Sequence, residues 1–430
     1  MLDIKLIRES PDFVRDKLKR RQNPEILEWL DNVIKKDKEY RELLQKVESL
    51  RHKRNVISNE IRILKKEGKN ADSKIKESKE NVKKIKETEE ELGKIKEEIK
   101  YFLMRIPNLP HDSVPDGKDE SENKVIKKWG TPRKFSFPVK NHAELAEALG
   151  VADFERSAKI SGSMFYFLKG ELALLNLALI RFAVDFLIKK GYTYVEPPLM
   201  IRKKVVEGVT DYDFFREMVY KVDGEDLHLI PTAEHPIAGM HMNEVIKEDE
   251  LPLKYVGYSM CFRKELGSHG VDTKGLWRTH QFNKVEQFIL CKPEDSYKYY
   301  DELLSNTEHL FQKLGIPYRI FESCAGDLGI VKSKGCDLEG WFPRQKAYGE
   351  LASLSNCTDY QARRLNIRME DTHGNRRFLH TLNNTAIATS RAIVAILENY
   401  QNEDGSVTIP KVLVPYMNGI KKIEKREDKE

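Results

Sequence analysis

Arg263, Glu265, Arg278, Phe282 and Glu286 surround a loop that carries Gly267, Ser268, Gly270, Asp272, Lys274 and Gly275. A guanidinium can bind a phosphate through two parallel N–H donors, and a neighbouring carboxylate can accept from an exocyclic amine. An aromatic side chain beside arginines suits a purine ring and its phosphates. The chemistry to expect is capture of a nucleotide-like polyanion. Two segments, near Tyr255–Glu265 and Phe282–Leu290, read as β-strands that fix this geometry. Arg263 and Glu265, two residues apart, leave the same face of the first strand. An Arg-x-Glu pair on a strand is by itself commonly a surface ion pair, and it is the loop, Arg278 and Phe282 that give it direction. His269 and His280 read as loop or packing residues rather than metal ligands.

The rest of the chain must position these groups. Charged residues make up 33% of the 430 and hydrophobic ones 40%, which suggests a charged segment attached to an ordinary core in two or three domains. That segment runs without proline from about Asp31 to Arg105. Val33, Tyr40, Leu44, Val47, Ile57, Ile61 and Leu64 recur at helical spacing in its first limb. Ile75, Val82, Ile85, Leu92, Ile95, Ile99, Phe102 and Ile106 recur likewise in the second. The turn Glu67–Asp72 lies between, so an antiparallel coiled-coil hairpin is expected, about 52 Å long at about 1.5 Å per residue. From Asp31 to Asn70 there are 12 Lys/Arg against 7 Asp/Glu, whereas Ala71–Lys100 has 9 against 9. The first limb is thus either a solvated helical face, a surface for an acidic protein, or a surface for phosphates. Ile106–Gly117, with three prolines, ends the arm, and a linker runs to Lys134.

Beyond Phe135 the pattern is mixed. Helices are expected at Glu144–Leu149, Gly170–Lys190 (apolar nearly all round, so buried against a sheet or a partner), Pro293–Leu314 and Ala386–Gln401. Strands are expected at Tyr318–Cys324, Gly335–Trp341 and Glu350–Asn356. Strands joined by loops rather than crossovers favour an antiparallel sheet flanked by helices, an α+β fold. The tail Lys421–Glu430 reads as disordered. No apolar run reaches the roughly eighteen residues of a membrane span, and the start MLDIKLIRESPDFV lacks a secretory h-region. Five cysteines without paired short spacing point to a reduced intracellular compartment, without a disulfide frame or a Cys-built zinc site.

FRKE, the glycine-bearing loop and RTHQFNKVEQ together resemble motif 2 of the class II aminoacyl-tRNA synthetases, and specifically of the seryl-tRNA synthetases. KGYTYVEPP resembles motif 1, a dimer-forming helix and strand. IPTAE resembles the serine-binding loop, YGELASLSNCTDYQARR the metal- and ATP-binding strand, and LNNTAIATSRAIVAILENYQ motif 3. LRHKRNVISNEI and IPNLPHDSVPDG resemble that family's tRNA-binding arm and its exit. The resemblance covers nearly the whole chain in order. It implies a tRNA-binding arm over 1–110 (coiled coil about 31–105), a linker over 111–134, a catalytic domain over 135–418 and a charged tail over 419–430.

The resemblance also implies roles. Arg263 would hold the α-phosphate and the serine carboxylate, Glu265 the adenine amine, and Arg278 the terminal phosphate. Phe282 and Arg391 would sandwich adenine, with Lys264, Thr279, Leu351 and Ala352 also lining ATP. Glu350 and Ser353 would ligate Mg²⁺, a hard ion suited to oxygen. Thr232, Ala233, Glu234, Glu286, Asn383 and Thr385 would enclose serine. Arg263, Glu286 and Arg391 are the expected catalytic residues. The implied activity is that of a cytoplasmic homodimer that joins L-serine to tRNA(Ser), and to tRNA(Sec) where present, at the expense of ATP. Taken singly, several residues have plainer readings: Thr232 as a helix cap, Arg391 as a partner of Glu398. Asn384, Ala352 and Cys336 depart from the common family pattern, resemble an archaeal-type branch and put the pocket's shape in question. A zinc-dependent branch exists, but the TAE loop and the arm argue against it. A ligase loading a carrier protein would not need the basic arm, and a decayed RNA-binding scaffold would not keep Arg263, Glu265, Glu286, Glu350 and Arg391.

Overall fold

A computed structural model describes residues 1–211, 216–265 and 274–425. Gly267, Ser268, His269, Gly270 and Asp272 lie outside the described residues. The chain divides into two compact units, one of residues 2–19 and 23–107, the other of residue 1, 20–22 and 108–430.

The first unit is helical. Asn23 caps the helix Pro24–Lys66 by accepting from the N–H of Glu25, with Pro24 in the first turn, where its missing N–H costs nothing. The helix Asp72–Leu103 returns alongside it. At about 1.5 Å per residue the limbs are about 65 and about 48 Å long. The seam is thinner than the apolar spacing predicts. Leu44 and Val82 are exposed, whereas Asp37, Asn81 and Thr88 are buried. Asn81 donates to the carbonyl of Leu50 at 2.9 Å. Cross-limb ion pairs, Lys36–Glu98 at 2.9 Å and Arg51–Glu89 at 2.7 Å among them, add register.

The second unit is built on an eight-stranded sheet. Its strands are β1 (Lys124–Trp129), β2 (Thr193–Val195), β3 (Leu253–Phe262), β4 (Gln281–Cys291), β5 (Tyr318–Glu322), β6 (Lys334–Phe342), β7 (Ala347–Thr358) and β8 (His380–Ala388). The spatial order is β1-β5-β6-β7-β8-β4-β3-β2. Every neighbouring pair is antiparallel except β2 with β3. The expected α+β class holds, with one parallel edge strand added. Helices Gly170–Ile188, Ser296–Leu314 and Thr389–Asn399 share one apolar core with the sheet. Ser296–Leu314 lies across one face, where Gln287 and Asn384 meet Thr307 at 3.0 and 2.9 Å. Glu286 and Asn383, one residue earlier on the same strands, face the other way.

Four expectations need correction. Residues 124–129, placed in the linker, form edge strand β1. Its lysines and exposed pattern hide a strand signal, because a sheet edge keeps charge outward. Trp129 stacks on Tyr318 at 5.6 Å and fixes it. Part of the tail is ordered: Lys422–Ile423 pairs with Val407–Thr408, and Ile423 is buried. Residues 426–430 lie outside the described residues. Residues 386–388, taken as the start of a helix, end β8. This central strand carries Asn383 and Asn384, a residue type depleted in strands, and its neighbours impose the conformation. Lastly, β3 ends at Phe262, so Arg263 and Glu265 lie beyond it. Glu265 has φ of 45°, and the alternation argument for one shared face does not apply there.

Candidate active site

The sheet face opposite helix Ser296–Leu314 carries a cavity of about 320 Å³. Two β-bulges shape it. On β7 the register with β6 shifts at Leu351. Glu350 and Ser353, three residues apart, would face opposite sides of a regular strand, and the extra residue brings both to the cavity. On β8 the register with β4 shifts at Ala386, just beyond Asn383 and Thr385. Gly257 on β3 lets the short helix Glu234–Met240 lie flush on the sheet, since a Cβ there would stand 2.5 Å from Ile237 and 3.0 Å from Ala233. The turn Thr232–Glu234 is thereby pressed against the face that holds Glu286.

One end of the cavity is a buried polar chain. Gln361 donates to Glu234 Oε1 at 2.8 Å, and Asn383 Nδ2 donates to Glu234 Oε2 and to Glu286 Oε1, each at 3.1 Å. Thr385 Oγ1 donates to Glu286 Oε2 at 3.4 Å, and Lys284 Nζ pairs with the same oxygen at 2.6 Å. Glu286 is wholly buried. Burial, then the charge of Glu286, raises the Glu234 carboxyl to about 7. Thr232 accepts from the N–H of Glu234 at 3.2 Å, so its hydroxyl steadies the turn as well as lining the cavity. Burial, then Lys284 and Arg263, lowers the neighbouring His235 to about 3 and keeps it neutral.

The other end is cationic and aromatic. The Arg263 guanidinium lies 5.2 Å from the Phe282 ring centroid. Arg278 stands 3.8 Å from Glu265. Arg391, near the start of helix Thr389–Asn399, lies 5.0 Å from the Trp277 ring and pairs with Glu350 at 3.0 Å, not with Glu398. Its charge and hydrogen bond overcome the desolvation that pushes Glu350 up and hold that carboxyl low.

Most of the expected site residues meet here: Thr232, Glu234, Arg263, Glu265, Arg278, Thr279, Phe282, Glu286, Glu350, Leu351, Ser353, Asn383, Thr385 and Arg391 line one cavity. Three do not line it. Lys264 is directed to the Tyr220 ring at 5.8 Å, Ala233 packs under the short helix, and Ala352 faces the apolar core. Two suspected perturbations of pocket shape also point elsewhere. Asn384 bonds the carbonyl of Leu303 and the Thr307 hydroxyl on the opposite face, and Cys336 is buried in the core. His280 hydrogen-bonds Tyr220 at 3.0 Å and the Arg263 carbonyl at 2.9 Å, and packs on Phe165, so it is a packing residue. Sequence reasoning missed Lys284, His235, Trp277 and Lys332. Lys284 was within reach, because it precedes Glu286 by two on a strand and so shares its face. Lys332 lies on a turn, where no periodicity marks it.

Residues 218–400 match the family model of the tRNA synthetase class II core domain (G, H, P, S and T), and residues 1–110 match that of the seryl-tRNA synthetase N-terminal domain. The chain is 53% identical to the serine–tRNA ligase of Methanocorpusculum labreanum over 98% of its length and 99% of that protein. It is similar to the crystal structure of seryl-tRNA synthetase from Pyrococcus horikoshii complexed with ATP, with a TM-score of 0.94 and 50% identity over 99% of this chain and 100% of that one. The cytoplasmic serine–tRNA ligase of Naegleria fowleri in complex with AMP superposes with a TM-score of 0.90 at 35% identity, covering 99% of each chain.

Proposed function

The chain belongs to the seryl-tRNA synthetase family, an ATP-dependent aminoacyl-tRNA ligase, and from that premise we propose how its cavity joins serine to tRNA. The observation that carries the proposal is the union, on one sheet face, of a buried carboxylate pair and an arginine–aromatic end.

Adenine sits against Phe282, with Arg391 on its other face and Glu265 accepting from its amine. Arg278 takes the terminal phosphate, and backbone near Thr279 and Leu351 lines the nucleotide. Arg263 lies between the two ends and meets both the α-phosphate and the serine carboxylate. A serine carboxylate oxygen attacks the α-phosphorus, forming the acyl–phosphate bond, and pyrophosphate leaves with the electron pair of the broken P–O bond. The carboxylate is already ionised, so the step needs alignment and charge stabilisation and no general base. The terminal ribose hydroxyl of tRNA then attacks the acyl carbon to form the ester bond and gives up its proton, and AMP departs with the electron pair of the broken acyl C–O bond.

Glu286 already accepts from Asn383, Thr385 and Lys284, which suits it to one further neutral donor, the serine hydroxyl. Glu234 gains more from an ammonium, because ionisation costs it most without one. Thr232 and Asn383 complete the amine site, and Asn383 Oδ1 is buried without a partner among the described residues. A substrate without the hydroxyl leaves Glu286 and Thr385 short of a donor, a class of mismatch that costs about 10⁴–10⁵ in selectivity.

Glu350 and Ser353 are oxygen donors on one face, and Asp337, opposite Ser353 on β6, keeps a buried Oδ1 without a partner among the described residues. This donor set fits Mg²⁺. When bound, the ion supplies charge neutralisation on the phosphates. Lys332 now donates to Ser353 at 3.0 Å and has to release it.

Residues 1–110 are assigned to tRNA(Ser), with the basic first limb against its backbone, and to tRNA(Sec) where a cell makes it. A homodimer accounts for the exposed apolar Leu177, Ile188 and Met200. No described helix is long and apolar enough to cross a membrane. Five free cysteines suit the reducing cytoplasm.

The test is ATP–pyrophosphate exchange by the purified chain with each of the twenty amino acids. Exchange with serine above all others is expected. Exchange driven by another amino acid, or by none, refutes the assignment.

A further inference from the structure

Leu328–Lys332 form a turn whose five consecutive carbonyls are all bound by two residues. Arg21, 6% exposed, donates to the carbonyls of Leu328 at 2.6 Å, Gly329 at 3.4 Å and Lys332 at 2.7 Å, and also to that of Asn108. Asn108, itself buried, donates its backbone N–H to Ile330 at 2.8 Å and its side-chain amide to Val331 at 3.0 Å. That amide also reaches the carbonyl of Cys357 at 2.8 Å and so ties the turn to the end of β7. A buried guanidinium is costly when no carboxylate meets it, and among the described residues Arg21 has only these carbonyls. Its donor fork is spent on that turn and on the carbonyl of Asn108, which holds the turn's other two carbonyls.

That turn is a wall of the active-site cavity, which Gly329–Lys332 line. The Lys332 ammonium stands 3.0 Å from Ser353 Oγ. Ser353 faces Asp337 across the β6–β7 pair, and Glu350 lines the same cavity. The ammonium therefore sits among the oxygens assigned to a divalent cation, at the phosphate end of the site.

We propose that Lys332 is a phosphate-binding residue and that Arg21 and Asn108 are the positioning residues that hold its backbone in place. The proposal rests on the ATP-dependent reading of the cavity. An ammonium on a flexible stem meets phosphate oxygens as a point charge. It leaves Ser353 as nucleotide and divalent cation enter, and its charge then offsets that of the departing pyrophosphate.

Lys332→Met, Arg21→Lys and Asn108→Ala are compared with Arg20→Lys in the full chain. Arg20 is a neighbouring arginine whose partners are Asp116 and the carbonyls of His111 and Val114, not the cavity wall. In serine-dependent ATP–pyrophosphate exchange, Lys332→Met should raise the KM for ATP about tenfold, the loss of one charge-assisted contact, with the KM for serine within about twofold. Arg21→Lys and Asn108→Ala should raise the KM for ATP in the same direction by about three- to fivefold, and Arg20→Lys should not. A purely structural role would lower the active fraction, and hence kcat, with both KM values intact. An unchanged KM for ATP in Lys332→Met, or equal effects on both substrates, overturns the proposal. If Arg21→Lys does not fold, Lys332→Met and Asn108→Ala carry the test. If the unaltered chain shows no serine-dependent exchange, the functional reading fails instead. Calorimetric titration with magnesium–ATP then decides separately: weaker binding by Lys332→Met supports the proposal, and equal binding overturns it.

Discussion

Replacing Glu234 by Gln removes a carboxyl that burial, and then the charge of Glu286, raises from 4.5 to about 7. Below pH 4.5 this group is protonated in both the folded and the unfolded chain and is neutral to stability. Between 4.5 and about 7 the unfolded chain gives up the proton while the folded chain keeps it, so stability falls as pH rises. Above about 7 the loss is complete. At about 1.4 kcal/mol per pH unit the full cost is on the order of 3 kcal/mol. Gln escapes that cost and incurs another. Oε1 accepts from Gln361 and Oε2 from Asn383. Thr381 fixes the orientation of Gln361 at 2.6 Å, and Glu286 fixes that of Asn383. One N–H of the new amide therefore meets a donor, at about 1–3 kcal/mol.

The unaltered chain should be the more stable at pH 5, and the difference should move by about 2–3 kcal/mol toward the Gln variant by pH 8, enough to cancel or reverse it. The difference between the melting temperatures of the two proteins, compared at pH 5, 6, 7 and 8, should move by a few degrees in favour of the Gln variant. The difference between the two cancels His235 and other groups that titrate in both. Serine binding near pH 6.5 should also release a proton, seen as a calorimetric heat that depends on the buffer. Melting curves that stay parallel across this range would refute the placement of Glu234 as a buried, proton-retaining carboxyl.

Three further outcomes are expected. Lys284→Met strands the buried Glu286 charge and should destabilise the chain by about 3–5 kcal/mol; an unchanged melting temperature above pH 7 would show the ion pair to be dispensable. Arg263→Ala should lose at least about a hundredfold in serine-dependent exchange, since it joins both substrates, while its sedimentation matches that of the unaltered chain; retained exchange removes Arg263 from the reaction. Deleting Val33–Phe102 should spare exchange and abolish tRNA charging, and charging at the original rate would dissociate the helical unit from tRNA.

The site was legible where chemistry follows residue type. Arg263, Arg278, Phe282, Glu286 and Glu350 carry charge or a ring that few other roles require so close together, and the motif order tied them to one reaction. Legibility failed where a backbone irregularity intervenes. Glu265 was placed by strand alternation, yet it stands past the strand end at a positive φ. Glu350 and Ser353 share a face only because Leu351 bulges. β8 was missed because its polar residues conceal a strand held by neighbours on both sides. β1 was missed because an edge strand need not be apolar.

The sequence alone determined the helical hairpin and the inventory of reactive groups. A helical stripe, a proline-free run and a turn are local properties, and a side chain's chemistry does not depend on its neighbours. Only the tertiary structure decided which groups meet. Strand register, the bulges and the Gly257 contact set the face each residue presents, and all three depend on segments distant in sequence. Arg21 and Asn108 make the same point. Arg21 lies in no motif and Asn108 in the segment that ends the arm, yet they converge on a turn more than two hundred residues away and hold it as a wall of the cavity, because carbonyls that turn from solvent must find donors wherever the chain brings them.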